Sequence, residues 1–328
     1  MTSAELDDEM THRLSLGLGR FSGVSERRVC GVHEDSVTMA AEAARRCLER
    51  SRYSVGDLDA VVCTPVIRLR EPGRLAWEPS LAAETARALG ARPSVQFDLI
   101  NACAGMLTGI LVLDRMIRSG RIRNGMVVSG EPCSTLARRA LRDVDGPRHP
   151  QLASLTTGDA AACVIVDAAR DTSPDRIHGI EMMTSAEFAH HCKAMPSPVR
   201  PGLVMLTDTA RLHDTRAVRQ WTALHAARPE SFTDPTPSQC DYLIPHQVST
   251  HFVQRIRRSG QRALGPMPPA VSVVGRYGNT ASTSLFVALH DHFTTRRPER
   301  PERFLLVSKA SGVVSGIATV TLSPRAVV

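Results

Sequence analysis

Lysine is almost missing from this chain: among 40 basic residues only Lys193 and Lys309 are not arginine. That bias reads as the mark of a GC-rich genome rather than as chemistry. Aromatics are scarce as well, at 4%, and no stretch joins a basic helical face to stacking rings. The net charge of +7 is therefore not read as nucleic-acid binding; an acidic partner protein or an anionic cofactor arm accounts for it better. No apolar run approaches the roughly 18 residues of a membrane span. The opening MTSAELDDEMTHRL is acidic and polar, without the apolar core of a leader, so the expectation is a cytoplasmic protein with no membrane partner. Eight cysteines are scattered with no CxxC pair, which predicts reduced thiols. No metal is expected: the nearest set, His190, His191 and Cys192, consists of adjacent side chains that cannot converge on one ion.

What is present is an alternation of apolar runs and amphipathic stretches, the pattern of an α/β architecture. Helices are predicted over 35–53, 80–90, 103–119, 248–259 and 281–296. Strands are predicted over 58–66, 95–100, 125–131, 159–167, 176–184, 241–246, 270–274, 303–310 and 316–322. At this length folding buries roughly 75% of the unfolded surface, enough for a large core. The Pro-rich links TSPD (172–175) and RRPERPER (296–303) mark chain turns. A boundary near 170–175 divides the chain into halves of 1–172 and 173–328, whose rhythm repeats although their residues do not.

Three segments carry chemistry. In FDLINACAGMLTG a strand runs into a small-residue turn with Cys103 at the corner. A helix starting there would place the thiol over unpaired N–H groups and a positive dipole end, favouring thiolate. The segment alone fits a buried structural cysteine equally well. In DYLIPHQVST a strand delivers His246 at its C-terminal end, and in GRYGNTASTSL Asn279 stands at a similar strand-to-helix junction. Alone, His246 could be a strand-end histidine bonded to backbone and Asn279 a turn residue. Together they occupy the positions where α/β sheets place ligand crevices, outside the carboxyl ends of strands, and that joint placement points to a catalytic set. Cys, His, Asn in this order also describes papain-like proteases, but the local CGxCW signature is absent.

At these residues the chain resembles the thiolase superfamily and, within it, the ketoacyl synthase III group. The matching pieces are SGVSERRV (22–29), FDLINACAGM (97–106), TTGDAAACVIV (156–166), YLIPHQ (242–247) and YGNTAS (277–282). The resemblance implies a duplicated five-layered α/β/α/β/α thiolase fold, a homodimer, and an active site buried between the halves. By the same resemblance Cys103 takes an acyl group from a thioester, while His246 and Asn279 hold the second thioester's carbonyl oxygen. Acyl-cysteine keeps its carbonyl activated for attack by carbon, and the oxyanion needs fixed N–H donors. The Cys103 amide is expected to be one. The other is expected from KASGVVSG (309–316), where Ser311 or Gly312 stands in place of the family's triple glycine.

Departures from the pattern refine the expectation. The chain opens where, by resemblance, the family has already passed its first, sheet-edge strand: either the start is genuinely short and the N-terminal half lacks that strand, or the start has been set late. Gly17 and Phe21 fall where typical members carry the tryptophan and arginine that clasp the adenine of coenzyme A, which favours an acyl-carrier-protein donor over free acyl-CoA. In WEPSLAAE (77–84), Glu78 replaces an aromatic gate, and EPS resembles the non-decarboxylating enzymes that join two acyl chains head to head in olefin and α-pyrone biosynthesis. Those enzymes use a glutamate from the partner subunit. A carboxylate in an apolar acyl channel would have its pKa raised and suit proton abstraction; the alternative is a solvated first-turn glutamate. Arg255, Arg257, Arg258 and Arg262 lie on the helix that, by resemblance, docks acyl carrier protein.

The expected activity is thus an acyltransferase that joins two acyl thioesters by Claisen condensation, in polyketide or fatty-acid-derived metabolism, without a cofactor beyond its thioester substrates. Three readings compete with it: a decarboxylative synthase using a malonyl thioester, an acyltransferase to an alcohol or amine, and a non-catalytic thiolase-fold partner.

Overall fold

Side-chain caps fix where three of the longer helices begin. The computed structural model describes residues 1–15, 17–70, 75–198, 202–208, 211 and 235–327. The helices are α1 (Ser3–Glu9), α2 (Leu18–Ser22), α3 (Ser36–Glu49), α4 (Leu81–Leu89), α5 (Gly105–Arg118), α6 (Ser134–Ala140), α7 (Thr250–Leu264), α8 (Val274–Tyr277), α9 (Ser284–Arg296) and α10 (Pro324–Val327). The strands are β1 (Ala60–Cys63), β2 (Val95–Asp98), β3 (Asn124–Glu131), β4 (Ala160–Asp167), β5 (Arg176–Thr184), β6 (Cys192–Pro196), β7 (Leu203–Thr207), β8 (Tyr242–Pro245), β9 (Glu302–Ala310) and β10 (Val314–Leu322). Asp35 caps α3 by accepting from the Val37 and Thr38 amides, and Ser80 caps α4 by accepting from Ala83. Ser249 caps α7 through the Phe252 amide. Each satisfies N–H groups that a helix start leaves without partners.

Two four-stranded sheets form the frame, in the orders β2-β1-β3-β4 and β5-β10-β9-β8. Within the first, β1 runs parallel to β2 and β3, and β4 is antiparallel to β3. Within the second, β8 runs parallel to β9, and β10 is antiparallel to both β9 and β5. Helices α3 and α4 cover the outer face of the first sheet, α5 and α9 lie between the sheets, and α7 covers the outer face of the second. This is the α/β/α/β/α stack of a thiolase-like fold. The central core joins Met106, Ile110 and Leu113 of α5 to Phe293 of α9 and Phe304 of β9, and each fully buried side chain of this size contributes about 1.5–3 kcal/mol.

Matching β4 to β10, β3 to β9 and β1 to β8 pairs three strands of each sheet in the same order and sense. The place that β5 holds beside β10 then has no counterpart beside β4 among the described residues. One predicted strand is corrected: residues 270–274 form only an isolated bridge between Leu243 and Ala270, and α8 starts at Val274. Here Gln247 takes over the backbone pairing, accepting from the Val273 amide and donating to the Val271 carbonyl. Helix α7 runs on to Leu264, beyond the predicted end. The sequence reading also passed over α1, α6 and the β6–β7 hairpin. Among the described residues no helix is long and apolar enough to cross a membrane, and no group of three His, Cys, Asp or Glu side chains could hold a metal ion.

Candidate active site

Cys103 sits in a 3-10 turn, Ala102–Ala104, between β2 and α5. Ala102 has φ of +45°, a left-handed conformation that L-residues adopt only under constraint, and it projects the cysteine from a sharp elbow. The second half repeats this device: Ala281 has φ of +51° in the 3-10 turn Ala281–Thr283 that leads into α9. Asn279 stands two residues before Ala281, and Ser282 holds the place in this elbow that Cys103 holds in the first.

Close backbone packing delivers Asn279. Its amide donates to the Thr156 carbonyl at 2.8 Å and its carbonyl accepts from Gly158 at 3.0 Å. A Cβ on Gly158 would lie 2.1 Å from the Tyr277 carbonyl oxygen, and one on Gly278, at φ +70°, 2.7 Å from that of Thr156. Only glycine permits this approach, which is the physical content of TTGD and YGNT. The Asn279 side-chain oxygen accepts from the Ala281 amide at 3.1 Å, so its Nδ2 protons remain as donors.

His246 follows β8 and is buried, its amide donating to the Val307 carbonyl at 2.8 Å. Its Nδ1 lies 2.6 Å from the Ser284 hydroxyl. Burial without a charged partner lowers its pKa from 6.5 to about 4, so the imidazole is neutral at pH 7. The residue after Val307, Ser308, donates to the Cys103 carbonyl at 3.4 Å, and Ala281 shares an apolar cluster with Cys103, Ile67, Leu69 and Cys133. Cys103, His246 and Asn279 are thereby brought to one place between the two sheets.

The thiolate expectation for Cys103 is corrected. Its thiol is pushed above the ordinary range, first by desolvation and then by the nearness of Cys192 and Glu131. Helix α5 starts after the 3-10 turn, and the dipole end does not outweigh loss of water around a thiolate.

The β9–β10 turn lies beside Cys103: Ala310 and Val314 pack on Ala104 with Cys103 at the edge of the cluster. Gly312 and Val313 have φ of +78° and +54°, and the Ser311 hydroxyl is 2.8 Å from the Cys192 sulfur. A β-branched residue at positive φ marks a turn held by its surroundings. Cys192, considered above only as a metal ligand, is thus a neighbour of the Cys103 pocket.

Glu78 is exposed and lies two residues before the Ser80 cap, so it is not the first-turn residue of α4; Glu84 is. Hydrogen bonds anchor the Glu78 segment on both sides. Buried Arg68 donates to the Ala76 and Trp77 carbonyls and meets Asp98 at 2.6 Å, while Asp98 accepts from the Leu81 and Ala82 amides. Trp77 beside it is 66% exposed and Ile100, after edge strand β2, is 59% exposed. On α7, Arg255, Arg258 and Arg262 are exposed, whereas Arg257 turns back to the Pro268 and Met267 carbonyls and leaves that face.

Sequence reasoning missed Ser284, Ser282, Glu131 and the Arg68–Asp98 clamp. Their partners lie far off along the chain, and no spacing signals them.

The layered fold and this Cys, His, Asn constellation define a thiolase-type condensing enzyme. Residues 97–186 match the 3-oxoacyl-[acyl-carrier-protein] synthase III model and residues 232–322 match the C-terminal model of the same family. Together these cover more than half of the chain, which belongs to the 3-oxoacyl-[acyl-carrier-protein] synthase III family of acyltransferases. It is 26% identical over 303 residues to the beta-ketoacyl-[acyl-carrier-protein] synthase III of Actinobacillus pleuropneumoniae, covering 91% of this chain and 88% of that protein. With the enzyme of the same name from Symbiobacterium thermophilum it shares 28% over 311 residues, covering 90% and 86%. Its fold is similar to that of cerulenin-bound Xanthomonas campestris OleA, with a TM-score of 0.81 at 22% identity over 98% of this chain and 93% of that one.

Proposed function

We propose that this protein joins two acyl thioesters by Claisen condensation through an acyl-Cys103 intermediate. The observation that carries the reading is the orientation of the two donors: Ala281 occupies the Asn279 side-chain oxygen, and Ser284 occupies His246 Nδ1. With the Ser284 hydroxyl donating, the imidazole proton sits on Nε2. His246 Nε2–H and Asn279 Nδ2–H then form a two-donor site for one carbonyl oxygen, charged only as the enolate develops.

In the first half-reaction the Cys103 sulfur forms a bond to the acyl carbon, the donor's C–S bond breaks, and the thiol proton leaves on the departing thiol. The Cys103 amide and the turn at Ser311–Gly312 serve the resulting oxyanion. In the second, an α-proton leaves the second acyl chain, its carbon attacks acyl-Cys103, and the Cys103 sulfur is released. Glu78 of the partner subunit is the base for that proton. Supporting this are its exposure on a segment anchored on both sides and the apolar surface of Trp77 and Ile100 around edge strand β2, which suits a two-fold homodimer. The exposed arginines Arg255, Arg258 and Arg262 of α7 suit an acidic acyl carrier protein.

The decarboxylative reading is favoured by the name of the curated relatives and needs no base. Intact-protein mass spectrometry with a panel of acyl-CoA and acyl-carrier-protein donors tests the first half-reaction. An adduct that persists in Cys103→Ala overturns the nucleophile assignment, and carbon dioxide released from a malonyl thioester selects the decarboxylative route.

A further inference from the structure

Glu131 ends β3 with its carboxylate wholly buried, and every oxygen of it is occupied. Oε1 accepts from the Ser282 hydroxyl, from Ser129 at 2.9 Å and from the Val66 amide at 3.0 Å. Oε2 accepts from the Val66 and Ile67 amides, both at 3.1 Å. A carboxylate removed from water this completely persists only when such donors replace its hydration. Burial still pushes its pKa up to about 7 against those bonds.

The partners lead in two directions. Ser282 belongs to the Ala281–Thr283 turn, whose Ala281 amide fixes Asn279 and whose next residue, Ser284, fixes His246. Ile67 precedes Arg68, which holds the Ala76 and Trp77 carbonyls just before Glu78 and pairs with Asp98, which holds the Leu81 and Ala82 amides just after it. One carboxylate therefore stands between the donor pair of the second half and the loop that presents Glu78 from the first.

We infer that Glu131 is a positioning residue that sets the His246–Asn279 donor pair of its own subunit's site and, through residues 66–68, steadies the Glu78 loop that the same subunit presents to its partner's site. The inference rests on the condensing role proposed for those residues. Glu131 touches no reacting atom in this scheme; it acts through Ser282 on one side and through the Val66–Ile67 amides on the other. A Gln amide that keeps its oxygen on the Val66 and Ile67 amides turns its NH2 toward the Ser282 and Ser129 hydroxyls, which then can no longer donate to it, so Gln is not a silent replacement.

The test separates the half-reactions. In Glu131→Gln, acylation of Cys103 should stay within about threefold of the parent, while kcat for condensation falls about 10²-fold with KM little changed, the size of losing one oxyanion donor. Glu131→Asp, which keeps an acceptor-only carboxylate, should recover part of that loss. Ser282→Ala cuts only one of the links and should lower kcat about tenfold. Unchanged kcat in Glu131→Gln and Ser282→Ala overturns the inference, as does an equal fall of both half-reactions in each variant. The imidazole ¹⁵N signals of His246, assigned by their loss in His246→Gln, give a readout independent of substrate. They should shift in Ser282→Ala, and unmoved signals overturn the positioning role. A parent enzyme that forms no acyl adduct overturns the condensing reading alone, and the His246 signals then decide Glu131.

Discussion

The Ser284 hydroxyl lies 2.6 Å from His246 Nδ1, and Ser284 opens the helix that follows the Asn279 turn. The two donors that the sequence places 33 residues apart are thus set by one short segment, 281–284. Removing this hydroxyl frees the ring to turn and to change tautomer. Ser284→Ala should form acyl-Cys103 at near the parent rate but condense about tenfold more slowly, measured by comparing the adduct burst with product formation.

The half-buried Cys103 makes its own prediction. Because desolvation raises its pKa above the usual value of 9.0, little thiolate exists at neutral pH in the free enzyme. Its alkylation by iodoacetamide, followed at Cys103 by peptide mass spectrometry, should climb with pH through 9 without a plateau. A plateau near neutrality would restore the helix-dipole expectation.

Glu78 offers a test of subunit sharing. As an exposed residue, Glu78→Ala should change stability by less than about 0.5 kcal/mol while abolishing condensation and sparing acylation. Mixing it with Cys103→Ala and allowing subunits to exchange should restore about a quarter of parental activity, since half the two-fold dimers then carry one whole site. No recovery on exchange would place Glu78 outside the partner's site.

Exposed Trp77 and Ile100 predict the association itself. Ile100→Glu or Trp77→Glu puts a charge where the edge strand needs an apolar partner. Each should shift the sedimentation profile from dimer toward monomer and lose condensation together with it.

His246 predicts an acid limb of stability. Its pKa falls from 6.5 to about 4 on folding, so the unfolded chain binds the proton first. The contribution is complete above about pH 6.5 and is lost as pH falls toward 4, on the order of 3 kcal/mol in all. Glu131 acts with the opposite sign, its pKa being raised from 4.5 to about 7; comparing the parent with His246→Gln cancels that contribution. Urea unfolding should show a shallower acid decline in the variant.

The sequence by itself determined the α/β class and eight of the strands along the chain, and it singled out Cys103, His246 and Asn279. Each of these is written locally: a strand's apolar run, a turn's glycine, a cysteine among small residues. Strand 176–184 matches β5 at both ends, because hydrophobic patterning over nine residues leaves little choice. The segment 270–274 misled because an apolar run does not say how far pairing continues: it bonds the β8 edge only at Leu243, and beyond that Gln247 takes its backbone.

Only the tertiary structure decided the rest. The resting state of the Cys103 thiol depends on water excluded by Cys133, Ile67 and the β9–β10 turn, a property of packing rather than of neighbours in sequence. Arg257 differs from Arg255 and Arg258 in its place around α7, where it finds the carbonyls of Met267 and Pro268. Glu131 reads along the chain as one more acidic residue. Its meaning comes from the backbone amides of residues 66–67 and from Ser282, 151 positions away, which converge on one buried carboxylate because a desolvated charge requires every donor that the fold can bring to it.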